Sequence, residues 1–143
     1  MIHHAGLLAL RPAGDWLGAL IEGPSGSGKS DLALRALDAG WSLVADDRTL
    51  LWACEGRLYG RATDTLTGLI EARGVGVLPT LSRTYAEIRL IVRCVPAEAV
   101  ERLPNDETQA LLGVSLPLVR LAALEASAPA KLSRALTHLG VRR

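Results

Sequence analysis

The chain has no phenylalanine, and its three tryptophans and two tyrosines hold aromatics to 3% of a composition that is 49% hydrophobic. Aliphatic side chains must therefore fill the core, and the prevalence of Ala and Leu predicts helices packed on a sheet in preference to a β-sandwich. Cysteine is almost as scarce. Cys54 and Cys94 are far apart and show no metal-ligand spacing, which excludes a disulfide scaffold and predicts reduced thiols in a cytoplasmic protein. Neither sign of charge dominates: 16 Lys plus Arg oppose 15 Asp plus Glu, a formal net charge of +1, so no basic surface for nucleic acid is expected. No apolar run is long enough to cross a bilayer, and Met1 to Leu10 lacks the cationic stretch, apolar core and cleavage site of a signal peptide. There is no internal repeat and no low-complexity tail. The 143 residues have the length of one domain, spanning 1–143 and able to bury a core unaided.

Against this sparse background, residues 23 to 30 stand out: Gly23-Pro24-Ser25-Gly26-Ser27-Gly28-Lys29-Ser30 fits G-x-x-x-x-G-K-[ST], the P-loop. Its glycines allow the backbone to wrap around phosphate oxygens, so that successive N–H groups and the positive end of the following helix face the anion. Lys29 supplies a charge for the β and γ phosphates, and the Ser30 hydroxyl suits Mg²⁺.

The flanking pattern supports that reading. Ala5 to Leu10 and Trp16 to Ile21 predict a hairpin feeding the loop, and Lys29 to Ala39 predicts a helix stopped by Gly40. Trp41 to Ala45 then predicts a strand that delivers Asp46 and Asp47 at its C-terminal end. Leu50 to Ala53 and Arg57 to Tyr59 read as a hairpin turned by Glu55-Gly56. Thr65 to Ile70 is a short apolar stretch leading to Glu71-Ala72-Arg73-Gly74-Val75-Gly76, a tight glycine-framed connection. Ile88 to Val95 predicts a strand inside the sheet, Ala97 to Leu103 a short helix, and Leu116 to Leu121 an edge strand or loop around Pro117. Ala130 to Leu139 predicts a last helix whose stripe of Leu132, Ala135, Leu136 and Leu139 packs on the same domain.

A P-loop enzyme needs a carboxylate opposite the Ser-Mg²⁺ side, and Asp46-Asp47 is the first acidic pair after the helix. Extended backbone would splay the two side chains to opposite faces, a limit that a turn starting at Asp46 relaxes. Glu71 is a further metal carboxylate candidate, and Arg73 a phosphate ligand or a bidentate partner of Glu71. Arg83 is read as a lid or substrate contact or, with greater weight, as an ordinary exposed arginine. Three readings stay open on the residues alone: a small kinase, an ATPase, and a nucleotide-sensing protein without turnover.

The order of a His-containing start, the P-loop continuing into Asp31, Leu43-Val44-Ala45-Asp46-Asp47, and Leu69-Ile70-Glu71-Ala72-Arg73-Gly74-Val75-Gly76 resembles the C-terminal catalytic domain of HPr kinase/phosphorylase, in its short single-domain form. The resemblance covers roughly residues 3 to 122. It implies an α/β fold, one P-loop domain with a mostly β central sheet flanked by helices. It also implies ATP-dependent phosphorylation of a serine on the phosphocarrier protein HPr, often with reverse phosphorolysis, in a homo-oligomer that is commonly a hexamer. By the same resemblance Asp46 is the general base with Asp47 beside it, Lys29 binds the β phosphate, Ser30 and Glu71 serve Mg²⁺, and His4 matches the family's histidine ahead of the P-loop. The family's loop arginine has Arg83 as its nearest counterpart here, and the Arg-Asn pair expected near the end is absent.

Overall fold

Every residue of the strand that runs into the P-loop, Leu17–Glu22, is buried, which requires neighbours on both edges and cover on both faces. The computed structural model, which describes residues 1–63 and 68–141, supplies them. Among the described residues the chain runs β1 (Ile2–His3), β2 (Gly6–Leu10), β3 (Leu17–Glu22), α1 (Lys29–Asp38), β4 (Ser42–Ala45), β5 (Thr49–Cys54), β6 (Arg57–Ala62), β7 (Leu69–Ala72), β8 (Gly76–Pro79), β9 (Tyr85–Cys94), β10 (Thr108–Leu111), β11 (Val114–Leu121) and α2 (Ala128–Ala135). The main sheet has the order β1-β5-β6-β9-β3-β2-β4, with β11 beside β9 and β10 beside β11. β7 and β8 form a separate hairpin.

β1 and β2 lie far apart in that order, yet His4 and Ala5 alone join them. The three Cα–Cα steps from His3 to Gly6 span at most about 11 Å, so the sheet must curl until β1 and β5 return towards β2. Thr49 closes the curl, its buried hydroxyl donating to the Ala5 carbonyl at 2.8 Å. Inside it Leu7, Leu20, Leu51, Leu58, Ile88 and Ile91 form one core. Alternation sends Leu8, Ala19, Ile21, Leu90 and Val92 to the opposite face, where Leu32 and Ala36 of α1 and Leu132 of α2 cover them. The mostly β sheet with flanking helices is thus present, with both helices on one face. The preference for helices over a β-sandwich holds for that face; on the other, the sheet covers itself.

Small residues make the curl possible. A Cβ on Gly60 would stand 2.7 Å from Leu7 Cδ2 and 2.8 Å from Thr49 Cγ2. Gly60→Ala is therefore expected to destabilise the fold by about 1–3 kcal/mol through overpacking. In urea titration the midpoint should fall with the slope unchanged. An unaltered midpoint would show that the two layers have room to spare.

Local rules explain the remaining elements. α1 ends as expected, with Gly40 at φ 95°, its N–H on the Leu37 carbonyl, and the Trp41 N–H on the Ala36 carbonyl. This is a Schellman stop, and Trp41 then enters the core fully buried. The β5–β6 turn takes positive φ at both Glu55 and Gly56, the I′ geometry of a two-residue hairpin. β11 pairs antiparallel with β10 up to Pro117 and parallel with β9 from Leu118 onwards, so the proline sits where partners change. The apolar stripe of the last helix faces the core, with Leu132 and Leu136 fully buried and Ala135 and Leu139 packed beside them.

Two expectations need correction. Ala97 to Leu103 is not a helix: only Ala97–Ala99 form a single 3₁₀ turn, Val100 continues in extended backbone, and Leu103 just before Pro104 stays 87% exposed, so no apolar face packs a longer helix. Arg83 is neither a lid nor an ordinary exposed arginine. It is half-buried with its guanidinium 4.3 Å above the Trp16 ring, at the start of β3 and away from the P-loop. Of the apolar stretch Thr65 to Ile70, residues 65–67 lie outside the described residues, and Leu69–Ile70 open β7.

Candidate phosphate-binding and phosphotransfer site

β3 and β4 both run antiparallel to β2, so they are parallel to each other and their C-terminal ends share one rim of the sheet. Leu7 of β2 is in register with Leu20 on one side and Ala45 on the other, which places Asp46 level with the last turns of β3. With one strand between them, the end of β4 stands roughly 10 Å from the end of β3. That gap is crossed at Gly6, which offers no side chain to fill it. Crevices outside the carboxyl ends of strands are where α/β sheets bind ligands.

The P-loop occupies the β3 side. The Ser27 N–H bonds the Pro24 carbonyl at 3.1 Å, Gly28 takes φ 93° as the residue before α1, and the Leu32 N–H returns to the Gly28 carbonyl at 2.9 Å. The first N–H groups of α1 therefore face the rim with the positive end of the helix behind them. Lys29 folds back, its ammonium donating to the Gly23 carbonyl at 2.6 Å. That charge also acts on Cys94, whose thiol burial pushes up to about 11 and Lys29 draws partly back. Cys94 thus stays a protonated packing residue at neutral pH.

Asp46 and Asp47 occupy the β4 side, where the strand ends at Ala45 and a turn begins. The Arg48 N–H bonds the Asp46 carbonyl at 2.7 Å and Asp47 adopts φ 66°. This is the turn that lets neighbouring carboxylates serve one site. Lys29, Ser30, Asp46 and Asp47 all line one narrow cleft with Gly6. Asp46 also faces a second cavity of about 240 Å³, lined by Arg48, Thr63, Leu69 and Glu71 among others. Glu71 therefore lines the cavity adjoining Asp46 and not the cleft that holds Ser30. Arg73 sits in the exposed turn after β7, lines neither cavity, and makes no ion pair with Glu71 among the described residues.

His4 joins this end through the β1–β2 corner. Its Nε2–H donates to Asp47 Oδ1 at 2.9 Å, both side chains being largely exposed. The corner is held tight by the Ala5 N–H on the His3 carbonyl at 3.0 Å and by Thr49 on the Ala5 carbonyl.

Behind the rim runs a polar chain that reading the sequence did not identify. His3 Nε2 lies 2.5 Å from Glu22 Oε2, Arg93 donates to Glu22 Oε1 at 3.2 Å, and Arg93 also donates to Gln109. Glu22 is 9% exposed and immediately precedes Gly23, so this chain anchors the strand end from which the P-loop departs. Part of the signal was available: Glu22 is the lone charge closing an otherwise apolar strand, and Arg93 stands in register with it near the end of β9.

Residues 14–135 match the family model of the HPr Serine kinase C-terminal domain. The HPr kinase/phosphorylase of Streptococcus thermophilus is 37% identical over 118 residues, and that of Bordetella pertussis 41% over 117, each alignment taking in 73% of this chain. The chain spans only 38% of the length of these relatives. The solved structure of the Hpr(Ser) kinase/phosphatase from Coxiella burnetii superposes with a TM-score of 0.82 at 23% identity, covering 96% of this chain and 89% of the other, a likeness of fold.

Proposed function

The chain belongs to the HPr serine kinase C-terminal domain family, and from that membership we propose that it transfers the γ phosphoryl group of ATP to a serine hydroxyl of the phosphocarrier protein HPr. The observation that carries the proposal is the single cleft at the ends of β3 and β4, where Lys29 and Ser30 stand opposite Asp46 and Asp47. Residues 23 to 30 cradle the phosphates, Lys29 neutralises charge on the β phosphate, and Asp46 accepts the proton of the attacking hydroxyl. Phosphoryl transfer asks for in-line positioning and charge stabilisation more than covalent help, and these groups supply both.

Mg²⁺ fits the donor set. Among the described residues no group of three or more His, Cys, Asp or Glu side chains is poised to hold a metal, so a dedicated all-protein cage is not the arrangement. A cation bound through one or two carboxylates plus substrate phosphates suits a hydroxyl and a carboxylate sharing one cleft. Ser30 and Asp47 would hold it, with Glu71 reaching from the adjoining cavity, and it would supply charge neutralisation on the phosphates. His4 orients Asp47 for that task, and Arg73 is placed on the exposed hairpin turn to meet the protein substrate.

The proposal covers the forward reaction. Arg83, the nearest counterpart of the loop arginine tied to the reverse reaction, is held on Trp16 at the opposite end of β3. Incubation with ATP, Mg²⁺ and purified HPr should add one phosphoryl group to HPr, located on serine by tandem mass spectrometry. Release of ADP without phosphoserine would replace a kinase by an ATPase, and ATP binding without any ADP would leave a nucleotide sensor.

A further inference from the structure

On the side of the P-loop away from Asp46 lies a cavity of about 590 Å³ whose near wall is the P-loop itself, from Pro24 to Ser27. Its far wall is made by Val95, Pro96 and Ala97 beyond β9 and by Leu124 beyond β11. These segments meet because β3, β9 and β11 are parallel, so all three chains leave the sheet at the same rim. The volume lies within the range of small-molecule sites, ~300–1,000 Å³. The lining is mostly apolar, and Leu124 is 69% exposed at its mouth, a large aliphatic side chain left facing solvent beside a phosphate-binding loop.

The wall is built rather than incidental. Arg35 of α1 reaches across to the 123–125 turn, donating to the Glu125 carbonyl at 2.9 Å and to the Ala123 carbonyl, while Asp31 holds its Nε at 2.8 Å. Gly28 makes the contact close: a Cβ there would stand 2.9 Å from Leu124 Cδ2 and 3.2 Å from Ala123 Cβ. The helix that begins at the P-loop thereby fixes the opposite wall at a set distance from the loop. On the polar side, the carbonyls of Pro96, Ala97 and Ala122 already accept bonds from the N–H groups of Ala99, Val100 and Glu125. Most of the lining that remains is apolar and suits a flat ring, while the Ser27 hydroxyl, buried with no hydrogen-bond partner among the described residues, is left to meet a polar atom.

We propose that this cavity holds the base of the nucleoside triphosphate, clasped between Pro24 on one side and Val95, Pro96 and Leu124 on the other. The inference rests on the P-loop reading above and extends it, because the sequence carries no base-reading motif. It also fixes the direction in which the nucleotide lies. The triphosphate crosses the P-loop with its γ end towards Asp46, and the base points towards β9 and β11.

The test compares Mg²⁺-ATP with Mg²⁺-tripolyphosphate, which presents the phosphates without a base, by isothermal titration calorimetry on the full chain. Wild type should bind ATP about tenfold tighter than tripolyphosphate, a difference of the size that apolar clasping of one ring supplies. Ala97→Trp fills the cavity from an exposed position. It should bring ATP to within about threefold of tripolyphosphate while tripolyphosphate stays within about twofold of its wild-type affinity, and Ala97→Ser should keep the ATP preference. Tripolyphosphate also reports on folding, since a misfolded variant loses it too. Wild type that binds both ligands equally, or an Ala97→Trp protein that keeps the ATP preference, overturns the base site and leaves the P-loop reading standing. Equal loss of both ligands in a folded Ala97→Trp protein also overturns it, because the effect then lies in the loop. Wild type that binds neither ligand overturns the P-loop reading itself.

Discussion

Asp46→Asn should lower kcat for phosphorylation of HPr by about 10²- to 10⁴-fold while ATP affinity stays within a few-fold of wild type. The substitution is nearly isosteric, and the Asp46 main chain, whose carbonyl holds the Arg48 N–H, is untouched, so the turn after β4 survives. What disappears is the ability to take a proton from the serine hydroxyl as the phosphoryl group arrives. Loss of a negative charge near the phosphates acts in the opposite direction on binding, which is why rate and affinity should separate. The neighbouring residue provides the contrast. Asp47 is held by His4 and lines the same cleft as Ser30, so Asp47→Asn should instead raise the Mg²⁺ concentration needed for half-maximal rate. If Asp46→Asn keeps more than about a tenth of wild-type kcat, the proton acceptor is Asp47 or His4 and the division of labour at the end of β4 is reversed.

This division could be posed from the sequence because two short-range rules coincide there. An apolar run ending in Asp-Asp marks a strand end, and a glycine-rich stretch before a helix marks a phosphate site; both depend on neighbours a few residues away. The hairpin turn at Glu55-Gly56 and the helix stop at Gly40 were legible for the same reason. Less visible were features set by the return of the sheet upon itself. The pairing of β1 with β5 follows from closure, not from any pattern within Ile2–His3. That closure is what turns His3 towards Glu22 and places His4 on Asp47, two roles that adjacent identical residues do not announce. Arg83 was misleading in a related way. In a short polar connection it reads as a lid or substrate contact or, with greater weight, as an exposed arginine, but the segment carrying it adds to the edge of β4 through the Arg83 N–H on the Leu43 carbonyl, and the side chain is then directed to Trp16. The apolar cavity behind the P-loop draws its walls from three separate parts of the chain, so no single stretch carries its signature.

Lys29→Ala should reduce kcat/KM for phosphorylation by at least about 10³-fold, since it removes the one side-chain cation that lines the cleft beside Ser30 among the described residues. The chain has only one other lysine, Lys131, whose ammonium is bound to Glu125 at 2.9 Å on the far side of the 123–125 turn. It is in no position to substitute. The structure also separates the charge from its placement. The ammonium rests against the Gly23 carbonyl at 2.6 Å, between the two ends of the loop, where a compact head on a flexible stem fits. Lys29→Arg keeps the charge but replaces the point-like head with a broader planar fork. It should therefore recover binding of tripolyphosphate more than it recovers kcat, whereas Lys29→Ala should lose both. Full kcat in Lys29→Arg would mean that the site needs only net positive charge at this position, and full kcat in Lys29→Ala would remove the P-loop from the reaction. Because Lys29 is the first residue of α1 and the Gly28-to-Leu32 bond is main-chain, neither variant should unfold the helix, and equal thermal midpoints would establish that the loss is chemical.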